Sequence, residues 1–187
     1  NHYRSHAAAL ISFSNTHFYD DELQLINTSD PLVRAIHHSN VSGNYQYGIN
    51  KEEARHVISI IQHILDTTPE KTIGVITFND QQRQYIQTLL EQTFGKAINK
   101  DRISVTTANL AQGDEYEISI ISFAYATTGS HSLAQQLENL TGLGSALLNV
   151  ATTRAKEQTY LLTSFEPNEL PTIHNENVEV YYLQEYL

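Results

Sequence analysis

His2 and His6 stand at the i, i+4 spacing with which two imidazoles on one helical turn can share a metal ion, and His37-His38 form a second pair. Neither pair has clustered carboxylates beside it, so both read more simply as packing or surface histidines. The chain has no cysteine, which excludes a thiolate metal site, a disulfide framework and a cysteine nucleophile. Gln112-Gly113-Asp114-Glu115 is a polar turn whose glycine lets backbone approach a ligand closely; taken alone, the same string is an ordinary surface turn. Arg4 follows Tyr3, and Arg154 lies within Leu148-Asn149-Val150-Ala151-Thr152-Thr153-Arg154-Ala155-Lys156. Singly, such residues are surface or half-buried packing groups. A phosphate loop of the form G-x-x-x-x-G-K-S/T is absent: in Gly95-Lys96-Ala97 no hydroxyl follows the lysine, and Leu90 stands five residues before Gly95. There is no G-x-S-x-G elbow and no compact Asp/Glu/Lys nuclease cluster, which disfavours an unrelated α/β hydrolase or nuclease. Asp20-Asp21-Glu22 reads as a solvated turn.

The elements that must position these residues alternate in type. Asn50 with Glu53 forms a capping box, after which Ala54, Val57, Ile58, Ile61, Ile64 and Leu65 recur at helical spacing and Pro69 lies beyond the end. The β-branched run Ile73–Phe78 predicts a strand covered on both faces. Asn79 or Asp80 caps a second helix, with Ile86, Leu89, Leu90 and Phe94 on one face and Gly95 as its stop. A short strand over Ile103–Thr106, a polar turn over 108–117 and a strand over Ile118–Phe123 follow. Then come a Gly/Ser/Thr-rich loop over 126–132, a helix over 144–156, a strand over Thr159–Thr163 and an edge strand over Val178–Tyr182. This alternation predicts βαβ units and a mostly parallel sheet, with ligands expected at the C-terminal ends of the strands.

Composition narrows the partners. Eleven Lys+Arg against 21 Asp+Glu give a net charge of −10, which argues against a freestanding binder held by phosphate neutralisation. Apolar residues make up 40% of the chain and charged residues 17%, enough for a sizeable core and unlike a disordered acidic tail. No apolar stretch approaches the roughly 18–20 residues that cross a bilayer. The lack of cysteine fits a cytoplasmic location. The chain begins Asn1-His2-Tyr3 and contains no methionine, which reads as a piece of a longer protein.

Four blocks occur in a set order. They are His2-Tyr3-Arg4-Ser5-His6 leading to Leu10–Asn15 and Phe18-Tyr19; Ile73–Asn79 followed by Gln82; Ala111–Glu115; and Leu148–Lys156. The series resembles the second RecA-like motor domain of superfamily 1 helicases, most closely the branch of the RNA-surveillance helicases and the large bacterial helicase-nuclease proteins. The resemblance runs from residue 2 to about 165. It implies a three-layer α/β RecA-like domain of the P-loop NTPase type spanning 1–187, with a motif-bearing N-terminal part over 1–50, a βαβ core over 51–165 and an edge segment over 166–187. It also implies ATP at a cleft shared with a first RecA-like domain, which would hold most of the Mg²⁺ coordination, and single-stranded DNA or RNA as partner. By resemblance, Tyr3 stacks on adenine, Arg4 reaches the γ-phosphate and Arg154 is the arginine finger, whose planar guanidinium suits phosphate oxygens. Gln112, Gly113 and Glu115 match the turn that touches the nucleotide, while Thr77, Phe78, Thr107 and Asn109 match positions along the nucleic-acid strand.

The sequence also departs from that pattern. Ala146 and Leu147 replace a basic pair, Phe78-Asn79 replace Pro-Tyr, and Asn109 and Ala111 stand where many relatives have Asp and Phe. Together with the acidic charge, these departures keep open an alternative: a degenerate motor domain retained as a scaffold for protein or nucleic acid. On either reading the piece alone is expected to be inactive as an ATPase.

Overall fold

Two helices begin where an asparagine carboxamide replaces a missing intrahelical acceptor. Asn50 Oδ1 accepts the Glu53 N–H at 3.0 Å and opens α1, Lys51–Thr67; Asn79 Oδ1 accepts the Gln82 N–H at 2.8 Å and opens α2, Asp80–Phe94. Gly95, at φ 81°, ends α2. The computed structural model describes residues 35–95, 101–137 and 144–170, with Leu10, Ser12, Asn15 and Thr16, and without the side chains of 144–147. His2, Tyr3, Arg4, His6 and the strand expected over 178–182 lie outside the described residues.

Seven strands follow the chain: β1 Ile36–Asn40, β2 Tyr45–Gln46, β3 Ile49–Asn50, β4 Ile73–Thr77, β5 Ile103–Thr107, β6 Tyr116–Ala126 and β7 Ala155–Ser164. Five of them form one sheet in the order β1-β7-β6-β4-β5, in which every pairing is parallel. The hairpin β2–β3 stands apart from it. Two short helices, α3 Leu133–Leu137 and α4 Gly144–Thr152, and a 3-10 turn over Pro167–Glu169 complete the described elements.

Strand alternation divides the core into two layers. Ile73, Val75, Ile118, Ile120 and Leu162 pack with Ala54, Val57, Ile61 and Ile64 of α1 and with Ile86 and Leu90 of α2. Ile76, Ile121, Phe123 and Leu161 turn to the other face, against Leu133, Leu137, Leu148 and Ala151. The result is the three-layer α/β arrangement of a RecA-like domain, with each inward residue withdrawing apolar surface from water. Among the described residues no helix is long and apolar enough to cross a membrane.

Two expectations shift, and two features carry no expectation. The helix expected over 144–156 ends at Thr152, and Ala155 already belongs to β7. The Thr152 and Thr153 hydroxyls turn back onto Asn149 O, which also accepts the Thr153 N–H at 3.1 Å, and the Arg154 Nε–H donates to Val150 O at 2.8 Å, so side chains share in closing the end of α4. Strand β6 runs from Tyr116 to Ala126 rather than over 118–123, because the Tyr116 N–H is taken by Arg154 O at 3.0 Å and Gln136 takes both main-chain groups of Ala126. β1 and the β2–β3 hairpin carry no strong apolar alternation; β1 forms because its residues register with Thr159–Thr163 of β7.

Candidate functional site

The chain leaves β5 at the C-terminal end of the sheet and must enter β6 at the N-terminal end. It makes this return in the turn over 108–115, with Ala108 and Ala111 buried beneath it and Gln112, Gly113 and Asp114 exposed. Gly113 has φ 96°, a conformation that L side chains rarely adopt, and open space surrounds its Cα. Tyr116, the first residue of β6, registers with Ala155, the first of β7. That register sets Arg154 beside the turn: Arg154 Nη1 donates to Asp114 O at 3.1 Å and Nη2 donates to Thr153 Oγ1 at 2.8 Å. The Tyr116 ring fills the space above Gly74, where a Cβ would meet it at 2.1 Å. Its hydroxyl donates to Asp114 Oδ2 at 3.0 Å, and burial raises its pKa, so the phenol stays a donor. Lys156 pairs with Glu115 at 3.2 Å.

Gln112, Gly113, Glu115 and Arg154 are therefore brought together, at the N-terminal ends of β6 and β7. Ligands are expected at the C-terminal ends of the strands, and these residues lie at the other end. The topology is the cause, since the turn precedes its strand and Arg154 precedes β7. This edge presents an exposed glycine turn and a half-buried guanidinium that donates to two carbonyls and a hydroxyl. Among the described residues, no group of three or more His, Asp or Glu converges as a metal site.

The other four candidate residues lie at the opposite end of the sheet, a β4 length of roughly 16 Å away at about 3.3 Å per residue. Thr77 and Thr107 register with each other at the ends of β4 and β5 and are both buried. The Thr77 hydroxyl donates to Asn79 O at 2.9 Å, so it shapes the turn that follows β4. Phe78 is half-buried, its ring stacked on Phe123 at 4.6 Å, and Asn109 is exposed.

A buried polar cluster at this same end was read from the sequence only as a helix cap. Glu53 accepts from Ser122 Oγ at 2.5 Å, from the Ala124 N–H at 2.7 Å and from Ser164 Oγ at 3.2 Å. Asn50 Nδ2 donates to Ala124 O and Ser164 Oγ, while Gln82 bridges Asn50 and Ser122. The capping box is thus half formed: Asn50 caps α1, but the Glu53 carboxyl turns inward and Gln82 takes the Asn50 N–H. Burial pushes the Glu53 pKa up to about 7, against the lowering effect of those hydrogen bonds. Ala124 has φ 67° at a register shift of β6, which aims its N–H at the carboxylate. The spacing of Asn50 and Glu53 was visible in the sequence, but their convergence with Gln82 on Ser122 and Ser164 was not.

The histidine pair does not converge. His37 stacks on Tyr160 at 4.8 Å, and His38 Nε2 meets Thr163 Oγ1 at 2.8 Å, as successive residues of a strand must face opposite sides.

The chain is 30% identical over 200 residues to an uncharacterized ATP-dependent helicase, MG140, of Mycoplasma genitalium, and 29% identical over 201 residues to its homolog in Mycoplasma pneumoniae. All of this chain is covered in both alignments, and it spans about a fifth (18%) of the length of these curated relatives. Among solved structures, the C-terminal domain of a possible DNA helicase from Lactobacillus plantarum superposes with a TM-score of 0.52 at 13% identity, covering 92% of this chain and 94% of that one, which supports the fold. The AAA domain family matches residues 32–166, and with the parallel sheet and the Arg154 edge already in place, the chain belongs to that family.

Proposed function

We propose that this chain is the C-terminal motor half of an ATP-dependent nucleic-acid helicase or translocase of superfamily 1. The observation that carries the reading is the contact between the Arg154 guanidinium and the glycine turn, 3.1 Å from Nη1 to Asp114 O, at one exposed edge of a RecA-like sheet. ATP bound between this edge and a first RecA-like domain supplies the free energy of phosphoanhydride cleavage. On this reading, Gln112, Gly113 and Glu115 contact the nucleotide, and Arg154 releases Asp114 O to reach the phosphates as the domains close. Tyr3 and Arg4 contribute stacking and a second guanidinium at the same cleft, and Mg²⁺ is held by the first domain. Phe78 and Asn109 meet a single strand of DNA or RNA at the far end of the sheet, with Thr77 and Thr107 supporting their turns from beneath. Closure and reopening of the cleft then shift that strand relative to the first domain. The name of the Mycoplasma relatives, ATP-dependent helicase, supports this reading.

The test uses the longer polypeptide that carries this chain together with its phosphate-loop domain. Strand-stimulated ATP hydrolysis is expected, and Arg154→Ala lowers kcat roughly 10³-fold, the scale of an arginine finger. The 187-residue chain alone hydrolyses ATP negligibly. Near-normal turnover in the Arg154→Ala protein would remove the assignment.

A further inference from the structure

The β2–β3 hairpin presents a tyrosine in a position that a tyrosine occupies at a cost. Its two-residue loop is Tyr47-Gly48, with φ 53° and 82°, the left-handed pair that defines a type I′ turn. Asn or Asp is the usual first residue there, because a bulky side chain strains against its own backbone in that region. Tyr47 nonetheless holds it with 89% of its surface exposed, so burial of its own ring does not repay the strain. Strain retained in a fully exposed aromatic points to a use for the ring.

The surroundings hold the loop that carries the ring. On one side of the loop the Tyr45 ring is buried against Tyr125, at 5.6 Å between centroids, and the Tyr45 main chain bonds to Thr128 and Ser130. On the other, Asn50 is locked into the Glu53 cluster, and a Cβ at Gly48 would meet Gln81 Cβ at 2.9 Å, so the loop rests on the start of α2. Beside the ring opens a cleft of about 370 Å³ lined by Asn44, Gln46, Tyr47, Ile49, Lys51 and Glu52. An aromatic face, two carboxamides that can donate and accept in one plane, and an ammonium group suit a planar heterocycle with a phosphate attached. Glu52 is partly offset by Arg55 at 3.4 Å. The hairpin lies at the C-terminal end of the sheet, the end that carries Phe78 and Asn109.

We propose that Tyr47 is a base-stacking platform and that the cleft between Asn44 and Glu52 receives one unpaired nucleobase of the bound strand, with Lys51 at its phosphate. This deepens the reading of the chain as a single-strand translocase and rests on it. The test measures binding of fluorescein-labelled oligo(dT) and oligo(U) by anisotropy, with the full-length polypeptide at several salt concentrations. Tyr47→Asn keeps the turn geometry and removes the ring; it leaves the thermal midpoint unchanged or higher yet weakens binding about five- to a hundred-fold, the range for loss of one stacked base. Tyr47→Phe retains wild-type affinity. Lys51→Ala lowers the slope of log Kd against log salt by about one, whereas Tyr47→Asn leaves that slope unchanged. Photocrosslinking to 5-iodouracil in the strand maps to Tyr47. If the wild-type protein binds neither strand, the translocase reading fails and takes this inference with it. If it binds but Tyr47→Asn matches it and the crosslink falls elsewhere, the stacking platform alone is overturned, and the hairpin faces a protein partner instead.

Discussion

Replacing Glu53 with glutamine is the most informative single perturbation of this fold. The carboxyl is fully enclosed and its pKa rises from the ordinary 4.5 to about 7, chiefly through burial. The native state therefore holds this proton more tightly than the unfolded chain does. Between pH 4.5 and 7 the unfolded chain releases the proton first, so stability falls as pH rises through that window and levels off above about 7. The full rise is equivalent to about 3 kcal/mol, a large part of the stability of a domain this size. In Glu53→Gln the amide oxygen keeps the Ser122 hydroxyl and the Ala124 N–H, and the new NH₂ faces Ser164 Oγ, which has a lone pair to accept it. Nothing titrates at that position, so urea midpoints of the variant and the wild type should converge below about pH 4.5 and separate fully above pH 7, with the variant more stable by about 3 kcal/mol. Glu53→Ala strands the Ser122 hydroxyl and the Ala124 N–H and is destabilised at every pH by at least ~2 kcal/mol. The carboxyl ¹³C shift of Glu53 gives a direct reading. A midpoint near 4.5, or wild-type and glutamine curves that run parallel from pH 5 to 8, would refute the placement of this carboxyl.

Two further outcomes follow from close approaches elsewhere. Gly74→Ala drives a methyl group into the Tyr116 ring, 2.1 Å from its nearest atom, and should cost about 1–3 kcal/mol of stability. Pairing it with Tyr116→Ala recovers part of that loss in a double-mutant cycle, which an unrelated strain at Gly74 would not show. Gln136→Ala leaves both the N–H and the C=O of Ala126 without their side-chain partner, at about 1–3 kcal/mol for each orphaned group. Faster amide exchange at Ala126 checks it, and an unchanged rate would mean the staple is dispensable.

The helix starts were legible because a cap is a local event. Asn50 and Asn79 each satisfy an N–H three residues on, Gly95 adopts a positive φ next to its own helix, and the β-branched runs at Ile73–Thr77 and within β6 announce strands without reference to distant residues. The Gln112–Glu115 turn and Arg154 were likewise recognisable as motifs, and their adjacency followed once β6 and β7 paired. What was not legible is how the chain reaches that end, by the eight-residue return over 108–115, which depends on strand order rather than on any residue type. Nor was β1, whose polar His37-His38-Ser39 becomes a strand through register with β7 more than 120 residues away.

Glu53 divides what the sequence determined from what tertiary structure decided. Its spacing from Asn50 dictated a capped helix, and the cap is there. The destination of its carboxyl was set by Ser122, Ala124 and Ser164, which β6 and β7 deliver from 69 to 111 residues along the chain. Local backbone preferences depend on a few neighbouring residues and can be read in order. Burial, and the protonation that burial controls, depends on which distant strands close over a group, and only the assembled sheet determines that.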